Sequence, residues 1–184
     1  SRDDTAAIAR TFEGVEVVAA PDLPAGWAGK NWACHTGVEH VRAAAADPNL
    51  QLCFLDADVR IDRSALQRVL DQHAGVGGLV SVQPWHDTRR WWEQPSAMFN
   101  LVAAMGVGMG GRKTPTGAFG PVLVTSLRDY DRVGGHRAVR AEVAEDLALA
   151  HLYRGRGSGP FVYIGDPDIR FRMYPDGLGP VSYT

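Results

Sequence analysis

The segment LQLCFLDAD, residues 50–58, decides how this chain is expected to fold. An apolar run of this length predicts a buried strand, and the strand ends on two carboxylates, Asp56 and Asp58. In open α/β sheets, ligands bind at the carboxyl ends of the strands. Carboxylates there suit Mg²⁺ or Mn²⁺, which often bind through one or two carboxylates together with substrate phosphates. Taken alone, the segment fits a cation site and a solvated acidic turn equally well.

Predicted helices and strands alternate along the rest of the chain, which is typical of an α/β domain. Helices are predicted over residues 4–12, 31–46, 64–73, 91–107, 127–133 and 143–154. Strands are predicted over residues 15–20, 50–55, 78–82, 119–125, 161–164 and 169–173. We therefore expect a single α/β domain over residues 1–184.

The composition of the chain limits the kinds of molecule that it is expected to bind. The 184 residues are 45% hydrophobic and 22% charged, as in a globular protein with a core. A net charge of -2 argues against nucleic acid, because phosphate backbones need a basic face. A bound cation would still allow an anionic substrate. Cys34 and Cys53 lack metal-site or CxxC spacing, which indicates reduced thiols in a cytosolic protein. No signal peptide and no apolar run long enough to span a bilayer are recognised.

A second acidic pair, Glu145-Asp146, opens the predicted helix that follows Gly134-Gly135. Each acid alone fits a residue that stabilises a helix dipole. The position of the Glu145-Asp146 pair after three other motifs says more about its function. An Asp-x-Asp at residues 56–58 precedes a Gly-x-Phe-Gly at 117–120, a Gly-Gly-His at 134–136 and then this pair.

This order resembles the inverting family-two glycosyltransferases of the GT-A fold over nearly the whole chain. SRDDT at residues 1–5 resembles half of their first motif, and GKNWACHTG at 29–37 resembles their G-K-x-x-A-x-x-x-G segment. Within that family, the likeness is to bacterial carotenoid glycosyltransferases of the diaponeurosporenoate type. It rests on the strings at residues 81–86, 93–94, 99–100, 117–121, 134–136 and 172–177.

The resemblance implies a Rossmann-like nucleotide-sugar-binding domain with a mixed sheet. It implies transfer of a sugar from a donor of the UDP-hexose kind to a lipid or carotenoid-like acceptor, with inversion. Asp58 would hold Mn²⁺ or Mg²⁺ with the donor diphosphate, Asp56 would lie near the ribose, and Lys30 would approach the nucleotide. An exposed loop lysine is the alternative interpretation of Lys30.

Asp146 would act as the catalytic base on a hydroxyl acceptor, or would position a carboxylate acceptor, which has no proton to lose. Further residues are implied on the acceptor side: Glu145, His136, Gly120, Arg172 and Tyr174. His136 also fits a structural histidine. Arg170 and Arg172 fit either phosphate contacts or exposed positions on an edge strand.

The apolar segment 91–107 carries Trp91 and Trp92 beside Arg89 and Arg90. Aromatic and basic side chains occur together at membrane interfaces, so we expect a helix that packs on the core and shows one edge to lipid. The resemblance places the protein on the cytoplasmic face of the cell membrane, with membrane segments beyond Thr184.

Two departures from the family pattern matter. The first two strands of the GT-A sheet would precede Ser1 and are absent, which leaves residues 50–55 as an uncovered edge. We therefore expect self-association or an altered sheet edge there, with weak donor binding and no turnover by these 184 residues alone. The Q-x-x-R-W motif of processive polysaccharide synthases is also absent, which argues against a polymerase.

Two other functions stay open on the sequence. A phosphatase of the haloacid-dehalogenase type would use Asp56 as nucleophile, with Asp166 and Asp168 as its later acidic motif. A fragment that binds a nucleotide sugar without turnover is the non-enzymatic interpretation.

Overall fold

The computed structural model describes residues 3–45, 47–95, 98, 105 and 115–172. The helices are α1 (Thr5–Ala9), α2 (Gly29–Ala44), α3 (Arg63–Val76), α4 (Leu127–Val133), α5 (Gly135–Ala138) and α6 (Glu145–Gly155), with a 3₁₀ turn at Trp91–Glu93. The strands are β1 (Gln51–Leu55), β2 (Val59–Ile61), β3 (Leu79–Gln83), β4 (Trp85–His86), β5 (Val122–Ser126), β6 (Phe161–Ile164) and β7 (Ile169–Phe171). The predicted α/β class is confirmed.

The main sheet has four strands in the order β1-β5-β3-β6. Strand β5 runs antiparallel to β1 and β3, while β3 and β6 are parallel, so the predicted mixed sheet is confirmed. Within the described ranges β1 pairs only with β5, and residues 51–55 form one edge of the sheet.

Helices cover both faces of this sheet. On one face Ala65 and Val69 of α3 join a cluster with Val80, Val82 and Val124. On the other face Leu79 and Leu123 lie with Ala150 and Tyr153 of α6. All five residues of β3 are buried, since a strand covered on both sides has no solvent-facing row.

A small second sheet begins directly after Asp58. Its strand order is β2-β7-β4, with β2 antiparallel and β4 parallel to β7. Ile169 and Phe171 of β7 are buried. Val59 and Ile61 of β2 pack on the same core as Ile169. The turn at residues 56–58 therefore links the two sheets and places the acidic pair between them.

The prediction of a strand over residues 15–20 is wrong. These residues have no strand partner in the described part of the chain, and Val15 and Val18 are 50% and 39% exposed. Glu16 instead meets His40 of α2 at 2.9 Å. A helix has already used its interior backbone donors and acceptors, so it cannot serve as a neighbouring strand.

Two predicted helices also differ. The first predicted helix, over residues 4–12, is shorter in the structure and spans only Thr5–Ala9. The segment 91–107 begins as the 3₁₀ turn Trp91–Glu93, and most of its remainder lies outside the described residues. In the described residues, no helix combines the length and apolar character needed to cross a membrane.

A buried hydrogen bond joins α6 to the main sheet and gives a test of this packing. The Tyr153 hydroxyl lies 2.7 Å from Thr125 Oγ1, and both residues are about 1% exposed. We expect Tyr153→Phe to lower the free energy of unfolding by about 1–3 kcal/mol, because the buried Thr125 hydroxyl would keep only its long 3.4 Å contact with the Ser126 carbonyl oxygen. Urea denaturation measures this. Tyr163→Phe is the control: its hydroxyl bonds Gln72 in an exposed contact, so a shift as large as that of Tyr153→Phe would contradict the packing.

Candidate functional site

Lys30 gathers side chains that are far apart in the sequence. Its Nζ lies 2.7 Å from Asp56 Oδ1 and 2.7 Å from Glu145 Oε1. Lys30 is in the first turn of α2, Asp56 follows β1, and Glu145 opens α6. The structure thus brings together three of the residues predicted for the site.

The charge of Lys30 is held firmly positive. Burial acts to lower the pKa of Lys30, but hydrogen bonds and attraction from Asp56 and Glu145 outweigh it and raise the pKa above its usual value. The lysine is therefore a fixed cation near neutral pH and not a nucleophilic amine. Because Lys30 is paired with two carboxylates, it holds Asp56 and Glu145 together in the structure.

The neighbouring residue, Asn31, places Lys30. Asn31 is fully buried, and its Nδ2 donates to the carbonyl oxygens of Val139 at 2.8 Å and Glu142 at 2.9 Å, with a longer contact to Arg140. The backbone N–H of Ala28 also donates to the Arg140 carbonyl oxygen at 2.7 Å. These bonds tie the start of α2 to the loop before α6. Sequence reasoning did not single out Asn31, although it stands inside the quoted GKNWA string.

Asp146 contacts Gly120 and is not among the carboxylates paired with Lys30. Its Oδ2 accepts a hydrogen bond from the Gly120 backbone N–H at 2.9 Å, and its Oδ1 accepts from Leu147 at 2.8 Å. A Cβ added at Gly120 would lie 3.2 Å from Oδ2, so glycine permits this close approach. Burial raises the pKa of Asp146, and the charge of Glu145 adds to this, while the hydrogen bonds and Lys30 oppose it. A raised pKa makes the carboxylate a better proton acceptor.

Asp58 lies in a different environment from Asp56. It is exposed and lines a pocket of about 430 Å³ together with Arg60, Asp87, Arg89, Arg170, Phe171 and Arg172. The described residues contain no group of three or more His, Cys, Asp or Glu side chains arranged around a cation. Cations of the Mg²⁺ kind are commonly held by one or two carboxylates plus substrate phosphates, and Asp58 fits that use.

Glu93 fixes the position of Arg172. The Glu93 side chain is fully buried, and its Oε1 accepts from Arg172 Nη2 at 2.6 Å and Nε at 3.0 Å. Its Oε2 accepts from the Arg90 backbone N–H at 3.0 Å. The hydrogen bond from Arg172, together with those from the backbone N–H groups of Arg89 and Arg90, holds the pKa of Glu93 at about 2 against the opposing effect of burial. Glu93 stood in a quoted motif, but its role needs a partner 79 residues away and could not be predicted.

His136 lies beneath the site. It is 1% exposed, its Nδ1 is 2.9 Å from the Tyr130 hydroxyl, and its ring lies 4.9 Å from that of Phe54. Burial, followed by the charge of Lys30, lowers the pKa of His136 to about 4, so the ring is neutral near pH 7. The position fits the structural interpretation, and an acceptor contact by this ring is not supported. Tyr174 lies outside the described residues.

The acidic residues that a phosphatase would need are engaged elsewhere. Asp166 and Asp168 accept hydrogen bonds from Arg68 Nη2 at 3.1 Å and 3.2 Å. Asp56 is bound by Lys30. The contacts therefore give no support to the phosphatase interpretation.

The site thus combines an acidic turn between two sheets, a lysine paired with two carboxylates and a carboxylate with a raised pKa. The chain is 36% identical over 185 residues to the 4,4'-diaponeurosporenoate glycosyltransferase of Staphylococcus aureus strain MRSA252. The proteins of the same name from strains USA300 and COL match to the same extent. The predicted relationship to carotenoid-type glycosyltransferases is confirmed.

These alignments cover 97% of this chain and 48% of each relative, so the chain spans about half the length of the proteins it matches. No family model matches the chain, and no solved structure matches it.

The Glu93–Arg172 pair predicts a specific pH dependence of stability. The pKa of Glu93 is depressed from 4.5 to about 2, so its contribution is present above about pH 4.5 and is lost as pH falls toward 2. We expect Glu93→Gln to be less stable than the natural protein at pH 7, with a difference that shrinks between pH 4.5 and 2. Urea unfolding at a series of pH values measures this.

The matched control is Glu13→Gln, at an exposed position with no ion pair in the described part of the chain. It should leave the unfolding free energy almost unchanged at each pH. A Glu93→Gln difference that is constant from pH 7 to pH 2 would show that the charge of Glu93 is not what stabilises the fold.

Proposed function

We propose that the protein is an inverting glycosyltransferase, which moves a hexose from a nucleotide-sugar donor to a lipid-like, carotenoid-type acceptor. The observation that carries this proposal is the assembly of Lys30, Asp56 and Glu145-Asp146 at one place, in a chain related to glycosyltransferases. A GT-A fold for the domain is part of the proposal, and the two joined mixed sheets support it.

The donor would lie across the turn between the two sheets. Asp56 and Lys30 would meet the nucleoside, and Asp58 would hold Mn²⁺ or Mg²⁺ with the diphosphate. Bound there, the cation would supply positive charge to the departing diphosphate. The exposed carboxylate of Asp58 and the pairing of Lys30 with Asp56 support this division.

The reaction would be a single displacement. An acceptor oxygen forms a bond to the anomeric carbon, the bond from that carbon to the diphosphate oxygen breaks, and its electron pair leaves with the nucleoside diphosphate. Attack from the opposite face inverts the anomeric centre. With a hydroxyl acceptor, Asp146 would take the proton, which its raised pKa favours.

The name of the relatives specifies an acceptor that ends in a carboxylate, and we extend that class of acceptor to this protein. An ionised carboxylate has no proton to lose, so Asp146 would then position the acceptor. A polyene acceptor would come from a membrane, and we propose association with the cytoplasmic face of the cell membrane. Trp91, which is 82% exposed, and Arg90, over the Trp92 ring, support an interfacial contact there.

The metal prediction concerns Asp58. In the full-length protein, we expect Asp58→Asn to abolish measurable transfer and to weaken Mn²⁺-dependent binding of UDP-hexose, since the neutral amide is a poor cation ligand. Calorimetry with and without Mn²⁺ measures the binding. Asp22→Asn, at an exposed position with no ion pair in the described part of the chain, is the control. Full activity in the presence of EDTA would rule out a role for the cation.

The base prediction concerns Asp146 and its contact with Gly120. With a hydroxyl acceptor, Asp146→Asn should lower kcat by about 10²–10⁴-fold, because a positioned base is lost. Gly120→Ala should lower kcat in the same direction, since its Cβ crowds Asp146. Donor affinity should change little in both variants.

The control for the glycine is Gly155→Ala, where an added Cβ meets nothing within 4 Å. Steady-state kinetics with UDP-hexose separates kcat from KM. Near-normal kcat in Asp146→Asn on a hydroxyl acceptor would remove Asp146 from the mechanism.

A further inference from the structure

The outward face of the small sheet carries a row of basic and aromatic side chains. Strand pairing places Arg60 of β2 opposite Arg170 of β7, and Arg170 opposite Trp85 of β4. Residues in register share a face, and successive residues on a strand point to opposite faces. Because Ile169 and Phe171 are buried, this row lies on the solvent side.

The pocket on this face is lined by more cations than anions. Arg60, Arg89, Arg170 and Arg172 line it, against Asp58 and Asp87. Arg89 binds Asp87 at 2.7 Å, Arg172 binds the buried Glu93, and Arg170 lies 3.8 Å from Asp62. Arg60 has no ion pair with the described residues. Like charges placed directly opposite destabilise a sheet, so the Arg60–Arg170 pair has a cost that a bound anion would offset.

We propose that this arginine face, defined by Arg60, Arg170 and Arg172, binds the carboxylate end of the acceptor, and that Trp85 contacts its apolar chain. The inference rests on the proposed function. Arginine presents a planar fork of N–H donors that matches a carboxylate. Trp85 is 51% exposed beside Arg170, which puts an apolar surface next to the cations. An acceptor with a carboxylate at one end of a long apolar chain needs both the cations and the apolar surface for binding.

The position of the face also suits the chemistry. Asp58, the proposed partner of the donor diphosphate, lines the same pocket, so a carboxylate held there is close to the sugar–diphosphate bond. Its oxygen forms the new bond to the anomeric carbon, the bond to the diphosphate breaks, and no proton moves. The product is an uncharged ester, which the arginines no longer attract, so release of product is favoured.

The test compares two probes with the same polyene and different ends, retinoic acid and retinol, in detergent micelles. Quenching of tryptophan fluorescence in the full-length protein gives the affinities. We expect the acid to bind at least 10-fold tighter. Arg60→Gln should weaken binding of the acid by about 10–100-fold and leave retinol unchanged, as for loss of a charge-assisted hydrogen bond.

Arg170→Gln should act in the same way, and Arg154→Gln, an exposed arginine at the end of α6, should have no effect. Arg60 is the first choice because it has no buried ion-pair partner in the described part of the chain, whereas loss of Arg172 would remove the guanidinium that binds the buried Glu93. Equal binding of acid and alcohol by the natural protein would overturn the proposal.

A third arm separates this site from the donor site. Binding of UDP-glucose with Mn²⁺ should be the same in Arg60→Gln and the natural protein. A loss of donor affinity in that variant would assign the arginines to the diphosphate and overturn the acceptor site, while the glycosyltransferase proposal stands. Absence of UDP-sugar binding by the natural protein, tested over several hexoses, would instead count against the proposed function itself.

Discussion

The Lys30 ammonium group, shared between Asp56 and Glu145, is the interaction on which the rest of the site depends. Two carboxylates from different elements lie within 2.7 Å of one cation. Without it, the carboxylate of Glu145, whose side chain is only 8% exposed, would face Asp56 with no compensating charge, which is costly for a nearly buried ion. The ion pairs thereby hold the end of β1 against the start of α6. Asp146, the next residue on α6, is held separately by the hydrogen bond from the Gly120 backbone N–H.

The second constraint is the division of the acidic pair between two sheets. Asp56 directly follows β1 of the main sheet and pairs with Lys30. Asp58 directly precedes β2 of the small sheet and lines a pocket with the arginines. Two carboxylates two residues apart thus serve different neighbours. This division lets one turn contact both the nucleoside and the diphosphate of a proposed donor, with the acceptor approaching along the small sheet.

Much of the fold could be predicted because its main strands are short and apolar, although only β3 is buried along its whole length and β1, expected to be buried, buries Leu52 alone. The predicted strands at 50–55 and 78–82 agree with β1 and β3 to within one residue at each end. Strands β2 and β4 were missed because they have only three and two residues. A segment that short cannot show the alternation of apolar and polar residues that marks a strand. The wrong strand at 15–20 has the β-branched composition of a strand. Such residues favour a strand only where neighbouring strands provide a pleated surface for them to pack on, and in the described part of the chain no strand lies beside residues 15–20.

The site was predicted as a set of residues but not as a geometry. The resemblance to known motifs pointed to Lys30, Asp56 and Glu145, yet a motif cannot say which side chains pair. Asn31 and Glu93 were missed as supports because their roles depend on partners far along the chain. The arginine face was missed as well, because it exists only once β2 and β7 pair in register.

The most direct test of the central claim is a crystal structure of the full-length protein with UDP-hexose and Mn²⁺. We expect the nucleoside beside Lys30 and Asp56, and the diphosphate with the cation at Asp58. The sugar should then lie between Asp146 and the arginine face. A donor bound elsewhere, such as the apolar groove of about 450 Å³ between α2 and β1, with the turn at 56–58 untouched, would contradict it.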